Sequence, residues 1–157
     1  MKQRVVSLSD FGPAENMSLI EADIPTPGNG QIVVKNNAIG LNYLDTYFRS
    51  GLYPWPNNND IKIPGSEGVG YIHAVGSDVL DFKEGDRVSY VTPVGAYAEY
   101  AIINAAHAAK INVEVEDHDV VACTLKGLTT HYLLHLTTKV TPCLLYTSPS
   151  PRDSCAS

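Results

Sequence analysis

NAIGLNYLDTYFRSGLYP, residues 37–54, is the stretch on which the fold of this chain turns. It opens as a strand end closing at Gly40 and then reaches Asn42, a residue type whose side chain caps helix starts. Asp45 follows three positions on, where a carboxylate suits the positive end of a helix. Leu44, Tyr47 and Phe48 share one side at helical spacing, and Gly51 supplies the stop. The spacing predicts a strand end, one short capped helix and a turn. Tyr43, Tyr47 and Tyr53 gather three phenols around that helix.

Outward from it, the first hundred residues read as short strands. β-Branched runs at Arg4–Leu8, Ile32–Lys35, Val69–Val75, Arg87–Val91 and Tyr97–Ile103 alternate with clusters of Gly, Pro, Asn and Asp. Pro25, Pro27, Gly28 and Gly30 mark the first strong turn, and Pro54, Pro56 and Asn57–Asn59 mark an exposed loop. This pattern points to a small barrel or sandwich. From Asp119 the period changes: Val120, Val121, Leu125, Leu128, Tyr132 and Leu136 fit a longer helix, with a break expected near Gly127. The class expected is mainly β with helices, α+β. After Pro142 the run CLLYTSPSPRDSCAS has neither period and reads as a disordered, non-native tail.

Composition narrows the function. With 157 residues the chain has room for one compact domain, and 44% hydrophobic with 18% charged residues suits a globular one. A net charge of −6 and a pI near 5.2 argue against a nucleic-acid partner, since phosphate contacts select basic surfaces. No apolar run approaches the roughly 20 residues that span a bilayer, so no membrane partner is expected. The start lacks the apolar core of a secretory signal. Cys123, Cys143 and Cys155 are odd in number and lack metal spacing, which suits a reducing cytoplasm and leaves the Asn16-Met17-Ser18 sequon idle. Cys123 is expected to pack as a small hydrophobe.

Several motifs resist a tempting reading. PGSEGVG, residues 64–70, runs in the reverse order of a dinucleotide fingerprint and leads into a strand-like segment, not a helix. Its glycines read as tight-turn positions, and Glu67 as a partly buried carboxylate holding backbone or a basic group. His131 and His135 stand four apart, yet no glutamate follows His131 and no third ligand is in view, so they read as a solvent-facing pair. GDRV, residues 85–88, and GAYAEY, residues 95–100, read as scaffold.

Residues 37–54, with Lys126-Gly127-Leu128-Thr129-Thr130-His131-Tyr132, resemble the quinone oxidoreductases. These are the zeta-crystallin-like, zinc-independent branch of the medium-chain dehydrogenase/reductase superfamily. The resemblance covers about Arg4 to Pro142 and is densest over 37–54 and 125–134. Zinc-dependent relatives place a cysteine near the position of Asn42 and a histidine where Ser66 stands. They also carry a cysteine-rich lobe where this chain has only Val91-Thr92-Pro93-Val94. The resemblance therefore implies no metal.

It further implies a GroES-like β-barrel of the alcohol dehydrogenase type over residues 1–117 as catalytic domain. A helical connector over 118–142 would lead toward a missing nucleotide-binding (Rossmann) domain, with the non-native tail over 143–157. The implied reaction is hydride transfer from NADPH to a quinone or enone-like acceptor. Asn42, Tyr47 and Tyr53 are the expected catalytic residues, placing hydrogen-bond donors at the acceptor oxygen. Tyr43, Leu44, Asp45, Thr46 and Tyr47 are expected along the cofactor, together with Lys126, Thr129 and Tyr132. Asp45 is expected to orient neighbours and pair with Arg49 one turn on. The parent is expected to be a cytoplasmic homodimer, and this chain alone is expected to be inactive. Two rivals stand beside this reading: a related alkene or enone reductase or alcohol dehydrogenase, and a non-catalytic barrel that only binds.

Overall fold

The computed structural model describes residues 1–137. Strand β1 (Lys2–Leu8) pairs antiparallel with β2 (Met17–Asp23). A second, five-stranded antiparallel sheet contains β3 (Gln31–Gly40), β4 (Glu67–Val75), β5 (Arg87–Val91), β6 (Tyr100–Asn104) and β7 (Ala108–Lys110). Its spatial order is β6-β3-β4-β5-β7. Helix α1 (Tyr43–Ser50) follows β3, and α2 (Asp117–His131) follows β7 and continues as a π-helical turn over Tyr132–Thr137.

Strand β3 shows how the sequence makes the core. Ile32, Val33 and Val34 are all fully buried, so both faces of the strand are covered here. The register against β4 shifts between Val33 and Val34, and again between Asn36 and Ala38. Such bulges bend and twist the strand, while Ile32 and Val34 still share one core cluster and Val33 lies outside it. Ile32 and Val34 pack with Ile72, Val88, Tyr90 and Ile103, each burial contributing about 1.5–3 kcal/mol for the larger side chains.

The α+β class holds, with one refinement. Hydrogen bonding runs in two sheets and not in one closed ring, and β1 makes isolated bridges from Val5 to Ala98 and from Leu8 to Lys62, both outside the strands of the second sheet. The strand expected from Tyr97 starts at Tyr100 instead. Residues 97–99 are drawn toward β1, where Val6 N–H donates to the Tyr97 carbonyl and Glu99 N–H to the Arg4 carbonyl. No break occurs at Gly127: the helix runs through it, at the cost of about 1 kcal/mol that a helical glycine carries. Cys123 is exposed and not packed.

Residues Met1–Leu125 form one compact unit, and Lys126–Thr137 belong to a second. The expected tail over 143–157, with Cys143 and Cys155, lies outside the described residues. No helix among the described residues is long and apolar enough to cross a membrane.

Candidate functional site

The expected helix forms where its caps require it. Asn42 is the N-cap in extended conformation, and Gly51 is the C-cap at φ 79°, the left-handed region that glycine enters without strain. The Asp45 carboxylate reaches back to accept from the Asn42 backbone N–H at 2.9 Å.

Two buried carboxylates fix this helix to its surroundings, Glu67 from β4 and Asp45 through Ser66 and Tyr97. Asp45 is 5% exposed and also accepts from the Tyr97 hydroxyl at 2.8 Å and from the Ser66 hydroxyl. Glu67 is fully buried and accepts from Asn42 Nδ2 at 2.8 Å and from the Leu125 N–H at 2.8 Å. Buried charge is tolerated only when it is hydrogen-bonded, and among the described residues no buried side-chain nitrogen or oxygen lacks a partner. Burial first, and Asp45 second, push the Tyr97 phenol far above the usual tyrosine range.

The PGSEGVG run proves to be the scaffold of this arrangement. A Cβ on Gly40 would fall inside the Glu67 side chain, one on Gly65 inside the Tyr97 ring, and one on Gly68 against the Tyr90 hydroxyl. Absent side chains therefore make room for the polar ones. The expected Asp45–Arg49 pair does not form: Arg49 Nε donates to the Gly12 carbonyl at 3.1 Å, while Asp45 turns inward to Ser66 and Tyr97.

One side of α1 borders a cleft of about 160 Å³ whose walls include Leu41, Asn42, Asp45, Thr46, Arg49 and Tyr97. Around the helix from it stands an aromatic row. The Tyr43 and Tyr47 rings meet edge-on at 5.5 Å, Tyr47 lies 5.3 Å from Tyr53, and Phe48 links Tyr53 to Trp55 at 5.7 and 6.3 Å. Tyr43 is 76% exposed and Tyr53 43%, so the row presents ring surface to solvent.

The structure thus brings Asn42, Tyr43, Leu44, Asp45, Thr46, Tyr47 and Tyr53 together around one helix. Leu44 is half-buried, and Thr46 Oγ1 donates to the Tyr43 carbonyl at 2.6 Å. Lys126, Thr129 and Tyr132 belong to the second unit, where all three are exposed. In that unit the His131 and His135 rings lie 4.9 Å apart. Among the described residues no three His, Cys, Asp or Glu side chains converge as a metal site would require. The roles of Tyr97 and Ser66 as donors to Asp45 escaped the sequence reading, which noted Ser66 only as standing where zinc-dependent relatives have a histidine. The only signal for them was the glycine spacing, which shows that something bulky approaches but not which residue does.

Residues 28–113 match the alcohol dehydrogenase GroES-like domain. A probable quinone oxidoreductase of Schizosaccharomyces pombe is 41% identical over 135 residues, covering 85% of this chain and 40% of its own length. The crystal structure of Pseudomonas syringae pv. Tomato quinone oxidoreductase superposes with a TM-score of 0.84 at 43% identity, over 90% of this chain and 43% of that one. Escherichia coli quinone oxidoreductase complexed with NADPH gives a TM-score of 0.79 at 34% identity, over 90% of this chain and 43% of that one. The chain therefore spans less than half the length of the proteins it resembles.

Proposed function

The chain belongs to the alcohol dehydrogenase GroES-like domain family, and from that membership we propose that it is the acceptor-binding part of an NADPH-dependent quinone oxidoreductase. The observation that carries this reading is the row of Tyr43, Tyr47 and Tyr53 along a helix whose other side borders a small cleft and which two buried carboxylates hold. Aromatic faces suit a flat quinone ring, and phenol hydroxyls suit its oxygens. In this reading residues 1–117 are the catalytic domain and 118–142 a connector toward the nucleotide-binding half of a cytoplasmic, homodimeric parent.

The residues present fit the nicotinamide end of the cofactor. Tyr43 offers an exposed ring and Thr46 a hydroxyl at the cleft, while about 160 Å³ is room for a ring and not for a whole dinucleotide. NADPH, when bound, supplies the hydride. Tyr47 and Tyr53 donate hydrogen bonds to the acceptor carbonyl, steadying the negative charge that gathers there. Asn42 Nδ2 already donates to Glu67, so Asn42 anchors the start of α1 and holds the tyrosines in place. Arg49 and Thr46 polarise the cleft wall, and Leu41 limits water at its rim.

Trp55, the single tryptophan, reports on the aromatic row. A para-quinone is expected to quench its fluorescence saturably, and Y47A/Y53A to weaken that quenching. Residues 1–137, joined to the nucleotide-binding remainder of the Pseudomonas syringae relative, are expected to oxidise NADPH only when quinone is present. A folded chimera that neither binds quinone nor turns over would sink the proposal and favour a barrel that binds something else.

A further inference from the structure

Asn29-Gly30 is the only Asn-Gly pair in the sequence, and it forms the middle of a reverse turn. The Gln31 N–H donates to the Gly28 carbonyl at 3.1 Å, and the Gly28 N–H donates to Gln31 Oε1 at 2.9 Å. Gly30 takes φ 68°, and a Cβ built there meets nothing within 4 Å, so space is open on the side where a side chain would sit. Asn29 is exposed, and the Ser77 hydroxyl donates to its side-chain carbonyl oxygen.

We propose that Asn29 is a site of spontaneous deamidation, with the backbone nitrogen of Gly30 as nucleophile and the Ser77 hydroxyl stabilising the reacting carbonyl. In mild base the Gly30 nitrogen loses its proton and bonds to Asn29 Cγ. Negative charge gathers on Oδ1, where the Ser77 hydroxyl already points. The Cγ–Nδ2 bond then breaks and ammonia leaves with a proton from water, closing a five-membered succinimide. Water opens either of its two carbonyls, giving aspartate or isoaspartate. The sum is one water consumed and one ammonia released, with no oxidant or reductant.

The chain contains its own comparison set. Asn57, Asn58 and Asn59 are as exposed as Asn29, but each precedes a residue whose Cβ crowds the attacking nitrogen. Asn104 precedes Ala105, whose N–H is engaged with the Gly30 carbonyl at 2.9 Å. Isoaspartate at position 29 would route the main chain through Cβ and lengthen the turn that opens β3. The bonds from Ala105 N–H to Gly30 and from Gly76 N–H to Gln31, the latter at 2.8 Å, would absorb the change. This inference is independent of the proposed catalytic role.

The test is to hold the folded 157-residue chain in mildly alkaline buffer and map its peptides over time. The readouts are the mass gain of an amide becoming a carboxylate, and isoaspartate. Asn29 is expected to convert several-fold faster than any of Asn57, Asn58 and Asn59, with S77A slower and N29Q unreactive at that position. Circular dichroism confirms that both variants fold. An intact Asn29 amide while Asn57–Asn59 convert overturns the site, and an S77A rate equal to or above wild type overturns the role of Ser77.

Discussion

Glu67 has no contact with water and holds two donors that face it from different parts of the chain, Asn42 Nδ2 and the Leu125 N–H. A carboxylate can accept from both, whereas a carboxamide must turn an N–H toward one of them. E67Q is therefore expected to lower stability by about 1–3 kcal/mol in urea unfolding. N42D, which sets two carboxylates face to face, is also expected to destabilise. The N42D/E67Q double variant is expected to recover much of the loss, because the new glutamine amide can donate to the new aspartate. No recovery would mean that the two side chains do not act as a pair. Two phenols, buried Tyr90 and half-buried Tyr97, carry a pH signature of their own. Burial raises Tyr90 far above the ordinary range, and burial with Asp45 does the same for Tyr97. A group whose pKa is raised on folding stabilises fully below its unfolded value and loses that contribution as pH rises beyond it, here from about pH 10 upward. An ultraviolet titration should show Tyr90 and Tyr97 ionising only as the fold is lost.

Helix α1 was legible because its determinants are local: an N-cap, an acid three residues on and a glycine stop lie within ten residues of one another. Strands β2 and β7 were not. β2 buries none of its residues and exists through its ladder to β1, while β7 is two alanines and a lysine paired to β5. Neither has a pattern that survives outside its pairing. The β3–α1 corner depends on a missing side chain, since Gly40 leaves the space that Glu67 fills. G40A is accordingly expected to destabilise by about 1–3 kcal/mol, the usual cost of overpacking. It is also expected to disturb the Asn42 side-chain amide signal in NMR. An unshifted Asn42 signal would show that the corner can relax without moving Glu67.

For the molecule as a whole, three polar ties join distant segments. Asp86 pairs with Lys110 at 2.8 Å, Glu99 with Arg4 at 2.7 Å, and Asp117 receives Asn37 at 2.8 Å and Arg87 at 2.6 Å. The Lys110 hydrogen bond lowers the Asp86 pKa, the Arg4 backbone and side-chain hydrogen bonds lower that of Glu99, and Asn37 with Arg87 lowers that of Asp117. A carboxylate depressed on folding stabilises above its unfolded pKa and loses that contribution as pH falls. Stability should then decline below about pH 4, with Arg87→Ala moving the acid midpoint upward. An unchanged midpoint would remove Asp117 from the account. By itself the sequence determined the α+β class, the position of α1, the turns and the aromatic character of the candidate site, because caps, glycines, prolines and residue type act over a few positions. Tertiary structure alone decided that Glu67, Ser66 and Tyr97 hold α1, that Asp45 turns away from Arg49, and that the strands form two sheets. Those outcomes depend on which segments distant in the chain come within hydrogen-bond reach, and short-range pattern carries no information about that.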